Sequence, residues 1–373
     1  MGRIWEYVYW RLPLGKKQFF EKVGDLKQVV ETSIRNNYNY KNELHGRLDS
    51  LTFEVNRLHE ENARLERIIT HYHKQDMMMF WENFRRQDES TLDAKKRFFS
   101  GLPIAKGVNR NLQLLEKDLL KAFADICDEN QLKYWLYAGT LLGAVRHKGF
   151  IPWDDDVDTC MAREDIDKLR EILKGNSEYQ LTIKYDPIGL CKQIRFCYRD
   201  STLPVFVDVF PFDWVREATA ESWEKNQKAK RDLIRAISDE RNPIIVKFRE
   251  AGCVDDGSSI GVEIEKIFDK YYNQLCEEGI ICNKEIAKGC VYGFDSCSYC
   301  NDINLIAREI FYPLQKIEFE GDEYYVPNKY IYVLKEVYGE DFYTFPCGEP
   351  HFIHADWKKN EKLLEEEVKK RVK

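Results

Sequence analysis

Apolar residues recur along residues 44–72 in alternating steps of four and three: Leu44, Leu48, Leu51, Val55, Leu58, Leu65, Ile69 and Tyr72. Asn62 takes one position of the same series. This spacing lays one apolar seam along a helix and, held over about four heptads, predicts a coiled coil. Val30 and Ile34 carry the phase upstream through a polar stretch at Asn37 and Lys41, so the coiled coil is placed at 26–75. Asn62 falls at an a position, where a buried amide pair favours a parallel two-stranded register. Glu60, Glu61, Arg64 and Glu66 suit the solvated face of such a pair. A single long helix folded back on its own domain satisfies the same pattern; we adopt the homodimer.

Residues 76–110 lose this phase, and Gly101-Leu102-Pro103 with Gly107 mark a linker. Leu112, Leu115, Leu119, Phe123 and Ile126 then repeat at helical spacing. Segment 133–138 reads as a buried strand, 157–161 as a second and 163–174 as a helix. Three further strands are predicted at 180–185, 193–198 and 205–210, and charge-rich helices at 217–241 and 260–279. Alternation of the two periods predicts an α/β core with inserted helices rather than a repeat protein. That core is assigned to 111–373, with a helical, cysteine-rich insertion at about 217–305.

The chain has 373 residues, of which 43% are hydrophobic and 13% aromatic, enough for one large core or two smaller ones. A net charge of −7 argues against general nucleic-acid binding. No apolar run approaches the length of about eighteen residues that a membrane span requires. Neither does the start of the chain carry a signal peptide's apolar stretch and cleavage site. Eleven cysteines, an odd number, then point to reduced thiols in a cytosol. Residues 1–20 mix six aromatics with Arg3, Arg11, Lys16 and Lys17. Segment 1–25 is therefore either an anchor at the surface of the inner membrane face or a helix packed on protein.

The chemistry concentrates in residues 138–158, A-G-T-L-L-G-A-V-R-H-K-G-F-I-P-W-D-D-D-V-D. Four carboxylates at Asp154, Asp155, Asp156 and Asp158 repel one another and are tolerable in a fold mainly around a divalent cation. On a strand Asp156 and Asp158 share a face, about 7 Å apart. Asp154 has the same parity and joins them if the strand begins there, whereas Asp155 points away. Asp208, between alternating apolar residues, offers another carboxylate from a strand that can lie alongside. Magnesium or manganese fits these oxygen donors because it keeps positions for phosphate oxygens and water. A surface acidic turn, or a structural calcium loop, is the competing reading of D-D-D-V-D taken alone.

This segment resembles the signature of the LicD family, which includes the bacterial phosphocholine transferases and the eukaryotic fukutin and fukutin-related proteins. Val207-Asp208-Val209-Phe210-Pro211 resembles the family's later acidic strand. Phe319-Glu320-Gly321, Val326-Pro327, Tyr338-Gly339 and His354 resemble its C-terminal segment. The resemblance covers about 110–356 and leaves residues 1–100 outside. It implies a nucleotidyltransferase-like mixed sheet with flanking helices, in which the Gly139-Thr140 turn precedes the strand of Asp156 and Asp158. It also implies transfer of a phospho-alcohol, such as phosphocholine, from a CDP-activated donor to a hydroxyl of a glycan, lipid-linked saccharide or teichoic-acid precursor. On this reading Asp156, Asp158 and Asp208 are catalytic and, with Asp154, hold Mg²⁺ or Mn²⁺. Gly139, Thr140, Arg146, Lys148, Arg195 and His354 contact substrate, Arg146 and Lys148 neutralising charge as CMP leaves. Nucleotidyl transfer to a sugar or small alcohol, and a coiled-coil scaffold with a non-catalytic domain, are the alternatives.

Other residues carry weaker signals. Lys192 is as well explained by structural pairing as by phosphate, and Trp153 by packing under the loop as by stacking on a base. His147 should face away from the site. Cys282, Cys290, Cys297 and Cys300 follow C-x7-C-x6-C-x2-C, which fits either a structural zinc or free buried thiols.

Overall fold

The computed structural model describes residues 14–200, 202–296, 306–345 and 360–372. Segment 1–20, read as a membrane or packing element, lies outside the residues whose side chains are described. The chain divides into two units, residues 1–80 and 81–373. Helix α1 (Leu14–Phe84) runs for 71 residues through the whole stretch expected as a coiled coil. Its seam stands open to solvent: Leu44 is 48% exposed, Leu51 63% and Ile69 58%. Pairs such as Glu43–Arg47 at 2.9 Å and Glu54–Arg57 at 2.6 Å decorate the helix. Among the described residues no helix is long and apolar enough to cross a membrane.

In the second unit, part of the stretch expected as a linker is helical. Ser90 caps α2 (Thr91–Ser100) by accepting the Asp93 N–H at 3.1 Å. Trp81, Phe84, Phe98 and Phe99 pack largely edge to face, with ring centroids 5.2 to 6.1 Å apart. Those contacts connect residues too far apart for a local period to reveal. Helix α3 (Gly107–Glu129) follows, its buried stripe being Leu112, Leu115, Leu119 and Phe123.

The core alternates strands and helices: β1 (Tyr134–Leu136), α4 (Ala138–His147), β2 (Val157–Ala162), α5 (Arg163–Leu173), β3 (Tyr179–Asp186), β4 (Cys191–Tyr198) and β5 (Phe206–Val215). The sheet runs β1-β2-β5-β4-β3. Strands β2 and β5 are parallel, while β1–β2, β5–β4 and β4–β3 are antiparallel. A mixed sheet with flanking helices is therefore the architecture. Strand β5 extends past the expected end at residue 210, across Pro211. A proline cannot donate to a ladder and usually stops a central strand. Here it falls in the gap between two partners, β4 opposite 206–208 and β7 (Gly289–Tyr292) opposite 212–215.

The inserted region builds a second core. Helices α6 (Ala220–Ile237), α7 (Pro243–Ala251) and α8 (Ser259–Glu277) enclose Leu233, Ile237, Ile245, Phe248, Ile264 and Phe268. The short strand β6 (Val254–Asp255) ties this region to the sheet edge at β3. The remaining elements are β8 (Ile306–Ala307), α9 (Arg308–Phe311), the hairpin β9 (Gln315–Phe319) and β10 (Asp322–Val326), α10 (Tyr330–Tyr338) and α11 (Glu361–Arg371).

Candidate functional site

The site forms where β1 ends and α4 begins. Ala138 adopts a positive φ of 41° at that junction, so the chain reverses within one residue. Gly139 and Thr140, expected as a free turn, lie in the first turn of α4 instead. The Thr140 hydroxyl accepts the Asp158 N–H at 2.8 Å, and the Tyr137 N–H donates to the Asp158 carbonyl at 3.0 Å. These bonds lock the start of α4 onto β2. A Cβ on Gly139 would come 2.9 Å from Asp154 Oδ2 and 3.8 Å from Asp158 Oδ2, so two carboxylates face the N-terminus of the helix. Backbone N–H groups and the helix dipole favour negative charge there.

Parallel pairing places Asp158 opposite Asp208. Oxygens of Asp156, Asp158 and Asp208 all lie within 4.8 Å of one another. Asp156 and Asp158 are only 8% and 9% exposed. Burial, then the charges of Asp156, Asp208 and Asp154, raise the Asp158 pKa well above the usual carboxylate range. Three clustered carboxylate oxygens, that of Asp158 close to a helix N-terminus, are a donor set suited to a hard divalent cation. Asp154 sits in the turn before β2, its N–H donating to the Ile151 carbonyl at 2.9 Å, with its carboxylate beside Gly139. Asp155 is buried at 2% exposure outside the clustered trio. Arg195, opposite Asp208 on β4, donates to Asp208 Oδ1 at 2.8 Å and lies 3.7 Å over the Phe206 ring.

The acidic loop is held by residues remote in sequence. Asn109 donates to the Pro152 carbonyl at 3.1 Å, and Gln113 to the carbonyls of Ile151 and Asp154 at 3.3 and 2.9 Å. Glu320 of the Phe-Glu-Gly segment pairs with Arg110 at 2.7 Å and accepts the Phe150 N–H at 3.3 Å. Gly143 allows a close backbone approach: a Cβ there would sit 2.5 Å from the Gly149 carbonyl oxygen. Replacing Gly143 with alanine must displace that backbone, at about 1–3 kcal/mol for overpacking. Thermal unfolding is expected several degrees lower; an unchanged melting midpoint would contradict the contact.

Other expected site residues take different partners. Arg146 is buried, 3.9 Å over the Phe99 ring, and donates to the carbonyls of Phe342 and Thr344 at 3.2 and 3.3 Å. Lys148 pairs with Glu318 at 3.1 Å on the exterior. A phosphate contact by either would require breaking these interactions. The Lys192 ammonium lies 5.9 Å from the Tyr185 ring. Trp153 stacks on Phe345 at 5.9 Å and remains 36% exposed. Cys290 is buried and Cys282 half-buried, both as free thiols, whereas Cys297, Cys300 and His354 lie outside the described residues.

His147 packs edge-on against Phe99, and burial followed by the Arg146 charge lowers its pKa to about 4. The unfolded chain then binds a proton that the folded one refuses. Stability is full above about pH 6.5 and is lost as pH falls toward 4. Urea unfolding at pH 7, 5.5 and 4.5 is expected to show this loss, and His147→Phe to flatten it. Equal slopes for both proteins would refute the assignment.

One residue was missed by sequence reasoning: Glu116 is fully buried on α3. A signal existed for Glu116: it falls on the stripe Leu112, Leu119 and Phe123 at steps of four, three and four.

Residues 131–238 match the LicD/FKTN/FKRP nucleotidyltransferase domain model. The chain is 28% identical over 261 residues to the lipopolysaccharide cholinephosphotransferase LicD of Haemophilus influenzae, covering 65% of this chain and 96% of that protein. It is 46% identical over 84 residues to the human ribitol 5-phosphate transferase FKRP, covering 22% of this chain and 17% of that protein. A Rickettsia prowazekii protein shares 41% identity over 76 residues, 20% of this chain and 29% of its own length.

Proposed function

This chain belongs to the LicD family and is a LicD-type phosphotransferase, and from that premise we propose that it moves a phospho-alcohol from a CDP-activated alcohol to a glycan hydroxyl. The observation that carries the reading is the trio Asp156, Asp158 and Asp208, with oxygens within 4.8 Å beside the start of α4. A magnesium or manganese ion held there would supply Lewis-acid stabilisation of a diphosphate. The chain's own residues do the rest. Asp156, Asp158 and Asp208 gather the negative site, with Asp154 at its edge. Gly139, having no side chain, lets the Asp154 and Asp158 carboxylates approach the helix N-terminus, where backbone N–H groups favour negative charge. Arg195 holds Asp208 in place and offers positive charge to the departing CMP. The acceptor hydroxyl attacks the alcohol-bearing phosphorus in line, the P–O bond to CMP breaks, and the hydroxyl proton passes to a carboxylate of the site.

The two named relatives are called transferases of choline phosphate and ribitol 5-phosphate. The acceptor in this reading is a cell-surface glycan, a lipid-linked saccharide or a teichoic-acid precursor, reached at the inner membrane face. In this reading α1 pairs two copies of the chain as a parallel homodimer. Incubating the protein with Mg²⁺, a panel of CDP-alcohols and a saccharide acceptor tests the reaction by CMP release. Acceptor-dependent CMP supports it. Release of pyrophosphate from nucleoside triphosphate instead would establish nucleotidyl transfer.

A further inference from the structure

Helix α3 turns one polar face toward the acidic loop. Asn109, Gln113 and Glu116 follow one another at steps of four and three, which places them on one side of a helix. The first two are fastened to the loop carbonyls of Pro152, Ile151 and Asp154. Glu116 has 0% exposure, and neither of its carboxylate oxygens has a hydrogen-bond partner among the described residues. The charges acting on it, after burial itself, are those of Asp156, Asp155, Asp154 and Asp208, and together they hold its pKa well above the usual range.

That placement is costly. A buried carboxylate without a partner is among the most destabilising groups a core can hold, and acidic neighbours add repulsion. Leucine or methionine at 116 would complete the stripe of Leu112, Leu119 and Phe123 and remove the cost. The basic residues around the loop have other partners: Arg195 takes Asp208, Arg110 takes Glu320, and Arg146 takes backbone carbonyls. A group of this kind persists where a ligand of opposite charge offsets it. Among the described residues the oxygens mutually within 4.8 Å belong to Asp156, Asp158 and Asp208, so Glu116 is outside that trio.

We propose that Glu116 is a positioning carboxylate of the cation site, set behind Asp156 and Asp208 to strengthen and orient divalent-ion binding without touching substrate. The proposal rests on the cation reading given above. Carboxylates behind direct ligands typically change metal affinity by about ten- to a hundred-fold when removed.

The test is Mn²⁺ titration of the full chain, with thermal unfolding in EDTA and in saturating Mn²⁺, for the parent protein, Glu116→Gln, Glu116→Asp and Asp208→Asn. Glu116→Gln is expected to weaken Mn²⁺ binding about ten- to a hundred-fold while raising the midpoint in EDTA, because the cost of holding a carboxyl where burial and the neighbouring aspartates disfavour its charge is gone. Glu116→Asp keeps the charge and should bind Mn²⁺ more tightly than Glu116→Gln. The inference is overturned if Glu116→Gln binds Mn²⁺ like the parent, if it lowers the EDTA midpoint as a structural residue would, or if Glu116→Asp binds no better than Glu116→Gln. Should Glu116→Gln not fold, the inference is lost on the same ground. If Asp208→Asn weakens binding and Glu116→Gln does not, this inference alone fails. If the parent protein takes up no Mn²⁺, the cation reading fails with it.

Discussion

Asp158→Asn is expected to lower acceptor-dependent CMP release at least about a thousand-fold, equivalent to about 4 kcal/mol of transition-state stabilisation. Asparagine has the same shape and keeps the backbone bonds that Asp158 makes to Thr140 and Tyr137. What it removes is one of three mutually close carboxylates, and with it the capacity to hold a divalent ion against a diphosphate. The folded state should not suffer. Asp158 is buried beside Asp156, Asp208 and Asp154, and that burial already disfavours its charge. Loss of the charge relieves repulsion, so the unfolding midpoint in EDTA should stay level or rise. Activity within tenfold of the parent enzyme would remove Asp158 from the catalytic centre. A collapse in stability would make it a structural residue.

Arg163→Met is expected to destabilise the fold by about 3–5 kcal/mol, the largest effect foreseen for a single side chain away from the site. Arg163, at the start of α5, makes two bonds to Asp213 at 2.6 and 2.8 Å and two to Asp295 at 2.8 Å. Its guanidinium also lies 4.8 Å over the Tyr272 ring. Both acids are buried, at 2% and 3% exposure, and removing the cation leaves two adjacent charges without compensation. Methionine fills similar volume, so the loss reports the broken pairing more than a cavity. Adding Asp213→Asn and Asp295→Asn should recover a large part of it, because neutral amides tolerate the interior better than bare carboxylates. Urea denaturation of the single and triple variants measures both effects. A single variant within about 1 kcal/mol of the parent would show that the network contributes little.

Much of this molecule was legible before any coordinates. Period alone placed α3, α5, β3 and β4 to within a few residues, since each buries one face and repeats the matching spacing. The seam placed a helical stretch at 26–75, inside the longer α1 (Leu14–Phe84). The acidic motif was legible for a different reason: so many carboxylates in so short a span are rarely tolerated without a cation. Local reading failed where a partner far along the chain outweighed local preference. Pro211 sits inside β5 because β4 and β7 pair on either side of it. Helix α2 follows a stretch that breaks the coiled-coil phase, yet an aromatic cluster packs it. Arg146 looked like a loop cation and is buried between Phe99 and two carbonyls, a destination its neighbours in sequence do not signal.

The chain's pattern therefore determined several of the helices and strands, α3, α5, β3 and β4 among them, and the spacing that lets Asp156 and Asp158 face one site. Both depend on repeats of two to seven residues that a sequence displays directly. Only the tertiary structure decided that Asp208 comes beside them, that Arg195 holds Asp208, and that Glu116 is buried behind the acidic loop. Those placements are set by strand order and helix docking, where burial of large apolar surfaces fixes positions of polar groups that no short-range preference specifies.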